Sequence, residues 1–188
     1  MWAAAAVWFA ASVWSYRAGS AGPVHTLYVT LGKQTVLLIC AWLAMADLGV
    51  LSYRGLGRDL LRGLVLGLPL LALYPLSVMG PVMWQKWAVF EHPWITGFLF
   101  MVITPLGEEM FFRGLVLPTA AGKIGYVAAA VVSALLFALM HHGLSQFFLA
   151  FLAGLYLAWM YLKYSSVWVP FAAHGVFNGC MLLILSLG

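Results

Sequence analysis

Apolar runs of about twenty residues follow one another along almost the whole chain, parted by short polar punctuation, and this pattern excludes a soluble fold. A soluble domain of this size has too little interior to hide so many apolar side chains. Of 188 residues, 65% are hydrophobic and 7% carry a formal charge, against roughly 25% in an average soluble domain. Mean hydropathy is +1.02. The bilayer is therefore the expected solvent. In hydrocarbon every backbone polar group needs an internal partner, which leaves helices or a closed barrel. A barrel requires short stretches alternating apolar and polar, and none occurs. The expected fold class is all-α: a polytopic membrane protein with the active site buried in the helix bundle.

Reading the apolar runs gives seven expected spans, at 1–16, 34–51, 63–83, 93–117, 124–141, 144–162 and 166–187. The connections are short, so residues 1–188 are expected to form one transmembrane domain with no soluble appendage and no internal repeat. The first run lacks a basic start and a small-residue cleavage site, and reads as a retained span rather than a cleaved signal. Nine basic and five acidic residues give a net charge of +4. The basic residues are scattered and form no nucleic-acid-binding stripe. Arg54, Arg58 and Arg62, with Lys123 and Lys163, place their loops on the cytoplasmic side, against Arg17, Lys33 and Lys86 opposite. The expected address is a prokaryotic cytoplasmic membrane. Cys40 and Cys180 sit in apolar runs as small buried hydrophobes, not as a disulfide framework. Trp84, Trp87, Trp94 and Trp168 lie near span ends and read as interfacial anchors.

The informative residues are the polar ones that a bilayer ought to exclude. An ionisable group centred in a span costs about 2.5–3.5 kcal/mol on insertion scales, so it pairs or performs chemistry. They occur in three places. Inside the fourth span, Glu109 and Arg113 are i,i+4 neighbours with the acid first, the favourable order for an ion pair. Glu108 points about 100° away and needs a partner elsewhere. Alone, this segment suits a structural ion network as well as a general base. At the end of the fifth span stand His141 and His142. Adjacent helical positions diverge, so one is a bystander, and His142, nearer the loop, takes that part. In the last span His174 and Asn178 project from one face; asparagine there also serves as interhelical glue. Taken together, these groups supply a base, an orienting imidazole and donors for a developing oxyanion, which suffices to add water to an amide.

Glu108-Glu109-x-x-x-Arg113, then Phe137-x-x-x-His141, then His174-x-x-x-Asn178 resembles the three-motif signature of the CAAX protease and bacteriocin-processing (Abi) family. The resemblance covers roughly residues 93–188. It implies an all-helical intramembrane endopeptidase acting on a membrane protein or peptide. By that resemblance Glu108 and His141 activate water, His174 and Asn178 stabilise the oxyanion, and Glu109 with Arg113 supports the site or positions substrate. The family has been described as both glutamic and metalloproteases. Two histidines and a glutamate form a donor set that suits zinc, yet no His-Glu-x-x-His helix is present. A metal-free glutamic mechanism is the expectation, with zinc as the alternative. The short loops argue against processing of prenylated proteins as the default. The small members of the family resemble enzymes that remove C-terminal sorting or anchor segments.

Other classes fare worse. A rhomboid-type serine motif is missing at Gly143-Leu144-Ser145-Gln146, and Asp47 and Asp59 sit at a span end and in a basic loop rather than at depth. Cys180 diverges from His174 around their helix. Outside enzymes, a bacteriocin-immunity or scaffold protein keeps the family fold without catalysis, and a small ion-coupled transporter would use the same buried Glu and His as a proton relay. Phe112 and Phe137 are expected to pack in the core or wall the pocket.

Overall fold

A computed structural model describes residues 23–47, 52–77, 92–141 and 143–187, with the side chains of 23–29 and 185 excepted. The expected first span, Trp84, Trp87 and His142 lie outside the described residues. Within them every regular element is helical. Helix α1 is Pro23–Asp47. Helix α2 is Leu56–Gly67, continued by a 3₁₀ stretch Leu68–Leu73 and a turn Tyr74–Ser77. Helix α3 runs Pro93–Ile124, α4 Tyr126–Ala138, α5 Leu144–Tyr164 and α6 Trp168–Leu187. Leu56–Leu76, Pro93–Ile124 and Leu144–Tyr164 are long and apolar enough to cross a membrane, and Tyr126–Ala138 and Trp168–Ile184 are shorter apolar helices. The chain is an integral membrane protein of the all-α class. Leu61 and Val127 are 65% and 82% exposed; in a bilayer such surfaces meet lipid.

Two boundaries move towards the N-terminus. Helix α1 includes Pro23 rather than starting at 34, so Lys33 sits inside a helix and not in a connecting loop. Lys33-Gln34 read as punctuation because they are polar, but the flanking Thr, Val and Leu carry the helix through them. Likewise α2 starts at Leu56 rather than 63, so Arg58, Asp59 and Arg62 are helical. Asp59 is buried and pairs with Arg62 at 3.3 Å and Arg58 at 3.6 Å. The topology count built on Lys33 as a loop residue therefore loses that member. Trp168 is also corrected: it is 8% exposed and donates Nε1–H to the Ser52 carbonyl at 2.7 Å. It pins the 52–53 turn to α6 instead of anchoring at an interface.

Helix α3 is the axis of the bundle. It packs against α1, α4 and α6, and its Met110, Phe112 and Leu115 form one buried cluster with Leu37 and Ala41 of α1 and Phe137 of α4. Its turns are not uniform. Leu99–Ile103 and Met110–Val116 are π-helical, with α-helical Thr104–Glu109 between them. Each wide segment ends just before a proline, Pro105 or Pro118. Proline has no N–H to return to the carbonyl four residues back, so the register opens locally; such π-bulges cluster at functional sites. The Thr104 N–H bonds the Leu99 carbonyl and the Leu117 N–H the Phe112 carbonyl, both five residues back. Buried Ser133 of α4 also donates to the Phe112 carbonyl, at 3.0 Å, docking α4 there.

A second seam joins α2 to α6 through Gly63-x-x-x-Gly67. A methyl group on Gly67 would lie 2.7 Å from the Ala173 carbonyl oxygen, so the two backbones approach too closely for any side chain. This is the small-residue packing by which helices associate in lipid. It seats the segment of α6 that carries His174.

Candidate active site

The fourth-span carboxylates occupy the α-helical island between the two π segments, where consecutive side chains fan out by about 100°. Glu109 is fully buried, as is Arg113 one turn on. The Arg113 guanidinium donates to Glu109 Oε1 at 2.8 Å and to the Gly154 carbonyl of α5 at 3.0 Å. It also stacks on the Phe137 ring, 4.7 Å from its centroid. The i,i+4 pair read from the sequence is therefore made, and it spans three helices.

Glu109 does more than pair with arginine. His174 Nδ1 lies 2.9 Å from the same Oε1. An ionised carboxylate only accepts, so Nδ1 carries the proton and donates it. That contact fixes the ring and turns Nε2 towards Glu108, whose Oε2 is 4.0 Å away. His174 thus stands between the two glutamates, tied to one and facing the other. Carboxylate-oriented imidazole is a recurrent device for fixing a catalytic ring.

Glu108 is 6% exposed. Its other oxygen, Oε1, accepts a hydrogen bond from Gln34 Nε2 of α1 at 2.9 Å. The approach is close because Gly107 carries no side chain: a methyl there would lie 3.3 Å from the Leu38 nitrogen. Lys33 and His141 both lie within the electrostatic field of the Glu108 charge. His141 follows the end of α4 and is partly buried, with Nδ1 3.0 Å from the Phe137 carbonyl. The Phe137 ring touches both histidines, 4.8 Å from the His141 ring and 5.7 Å from the His174 ring, centroid to centroid. It is both core and wall.

Asn178 is placed one turn beyond His174, but its Nδ2 donates to the Phe100 carbonyl at 2.8 Å. The π register explains this acceptor. Thr104 N–H goes to Leu99, and Pro105 has no N–H to continue the pattern onto Phe100. Asn178 fastens α6 to the open turn of α3, with one amide hydrogen still uncommitted by that bond.

Glu108, Glu109, Arg113 and His174 are thus in one contiguous network, His141 adjoins it through Phe137, and Asn178 borders it on α6. Sequence reasoning missed Gln34. The signal was an uncharged polar residue within an otherwise apolar face, discounted because it fell at a supposed span edge. Several buried polar atoms here lack a hydrogen-bond partner among the described residues: Gln34 Oε1, Thr104 Oγ1, Glu109 Oε2 and Arg113 Nε. Such atoms mark a network with spare capacity beside Glu108. No three His, Cys, Asp or Glu side chains gather as a metal-holding group among the described residues.

Residues 90–180 match the model of the Rce1-like family, described as type II CAAX prenyl endopeptidase Rce1-like. The chain is 25% identical over 83 residues to a Bacillus subtilis protein named putative membrane peptidase YdiL. That alignment covers 44% of this chain and 34% of the relative, so the chain spans about a third of the relative's length. No solved structure matches. The matched region contains all three motifs and excludes Gln34.

Proposed function

We propose, from its similarity to the CAAX protease and bacteriocin-processing family, that this chain is an intramembrane endopeptidase that hydrolyses a peptide bond of a membrane-associated protein. The observation that carries this reading is His174 held at 2.9 Å by Glu109 while its other nitrogen faces Glu108 at 4.0 Å. An oriented imidazole facing a second carboxylate brings a hydrogen-bond donor and a base to one point of the bundle, the pairing that amide hydrolysis needs.

In this mechanism Glu108 Oε2 accepts a proton from water as its oxygen attacks the scissile carbonyl, and His141 helps orient that water. The carbonyl becomes an oxyanion. It receives hydrogen bonds from the remaining amide hydrogen of Asn178 and from His174 Nε2–H. The latter donor requires a proton on both ring nitrogens of His174. Glu108 then returns the proton to the departing amine as the C–N bond breaks. The chemistry is metal-free, the glutamic type. Glu109 and Arg113 hold His174 in place. Burial of these groups strengthens each electrostatic contact relative to water.

The substrate class that fits is a helical anchor or C-terminal sorting segment, which enters the bundle from the lipid and needs no soluble domain to deliver it. The test is terminal proteomics on host membranes carrying wild type or Glu108→Ala at equal abundance. Defined termini that stop being produced in the variant support the protease and reveal its cleavage rule. Unchanged termini, with some other phenotype lost, would transfer the assignment to a non-catalytic immunity or scaffold role.

A further inference from the structure

Helix α1 lies outside the region matched by the family model, yet it supplies a direct contact to Glu108. Gln34 is 4% exposed and donates Nε2–H to Glu108 Oε1 at 2.9 Å. The orientation of the amide is settled by chemistry: a carboxylate only accepts, so the NH₂ group must face it. That leaves Gln34 Oε1 buried with no partner among the described residues. Packing does not call for such a residue. The next positions on the same face of α1 are Leu37 and Ala41, each 1% exposed in the apolar cluster with Phe112 and Phe137. A residue selected for stability here would be apolar as well.

We infer that Gln34 is a positioning residue for Glu108: its amide fixes one carboxylate oxygen so that the other is presented to His174 and the reacting water. This rests on Glu108 being the water-activating base. Lys33, the neighbouring residue on α1, also lies near the Glu108 charge. The other charged and titratable groups around Glu108 among the described residues are Glu109 and Arg113 on α3, His174 on α6 and His141 after α4. The hydrogen bond to Glu108 Oε1 comes from the neutral Gln34 amide.

Three substitutions of similar size separate the donor from the volume. Gln34→Met keeps the volume without a donor, Gln34→His restores an N–H at comparable reach, and Gln34→Glu opposes Glu108 with a second carboxylate. The chain has three glutamates, so carboxyl carbon-13 NMR of glutamate-labelled full-length protein in lipid nanodiscs resolves few signals, and loss of one in Glu108→Gln assigns Glu108. The expected result is that Gln34→Met raises the midpoint of the Glu108 titration by about one pH unit relative to wild type, because an N–H bond favours the ionised form. Gln34→His should return it towards wild type, and Gln34→Glu should raise it further. In host membranes, processing should slow about tenfold or more in Gln34→Met at equal folded abundance and recover in Gln34→His. An unmoved Glu108 signal in Gln34→Met overturns the inference, as does a signal that moves equally in Met and His variants. Normal processing in Glu108→Ala would instead sink the protease reading, while the NMR comparison still decides whether Gln34 controls Glu108.

Discussion

The two adjacent glutamates live in different surroundings. Glu109 is fully buried, with one oxygen shared by the Arg113 guanidinium and the His174 ring, in a knot that ties α3 to α5 and α6. Glu108, one residue earlier, is slightly exposed, is held by a single neutral amide and faces an imidazole 4.0 Å away. The tight side is built as architecture: a buried charge needs a complete set of partners, and removing one leaves the other stranded. The loose side keeps a carboxylate oxygen free of a close partner, as a group that must exchange a proton requires. Neighbouring residues of one type thus divide anchoring from chemistry, and substitutions should separate the two.

The largest effect expected is on the loose side. Glu108→Gln should reduce processing by about a hundred- to ten-thousandfold while leaving the thermal unfolding midpoint in detergent close to wild type. An equal loss of folded protein would erase the distinction between the two carboxylates. On the tight side, Arg113→Met should destabilise by about 3–5 kcal/mol, the usual result of stranding a buried partner, with a loss of activity per folded molecule much smaller than that of Glu108→Gln. A stable, well-folded Arg113→Met that has lost activity would show that the arginine belongs to the chemistry. Asn178→Ala tests the border between them. It should remove about 1–3 kcal/mol of stability by leaving the Phe100 carbonyl without its side-chain donor, and also slow turnover. Gly67→Ala should cost about 1–3 kcal/mol by overpacking the seam with α6, and should slow turnover modestly by displacing the segment that carries His174.

Much of this was legible because a bilayer penalises charge so strongly. Glu108, Glu109, Arg113 and His174 stood out as residues that apolar runs would otherwise exclude, and the structure gathers them. Six of the seven expected spans correspond to described helices, three of which are long and apolar enough to cross a membrane. What escaped has a physical reason in each case. Gln34 carries no charge, so its insertion penalty is small and its signal weak. The helix starts at α1 and α2 were displaced because polar residues inside a helix, Lys33 in α1 and Arg58 and Asp59 in α2, look like punctuation between apolar runs. The acceptor of Asn178 depends on the π register imposed around Pro105, a backbone event that side-chain periodicity does not record. Trp168 sits where an interfacial tryptophan would, and only the Ser52 carbonyl beneath its N–H makes it an internal tie.

The wide turns of α3 also govern how the chain can change in length. A turn closed five residues back holds one residue more than an α turn, so a single deletion within Leu99–Ile103 would be absorbed there and leave Glu108 facing as before. It would forfeit only the lateral carbonyl that Asn178 grips. The same deletion at Leu106, in the island between the two segments, has no slack to draw on. It would swing the glutamates by about 100° and shift them by about 1.5 Å relative to α1. Natural length variation in this helix should therefore gather at the two segments before Pro105 and Pro118 and avoid the six residues Thr104–Glu109.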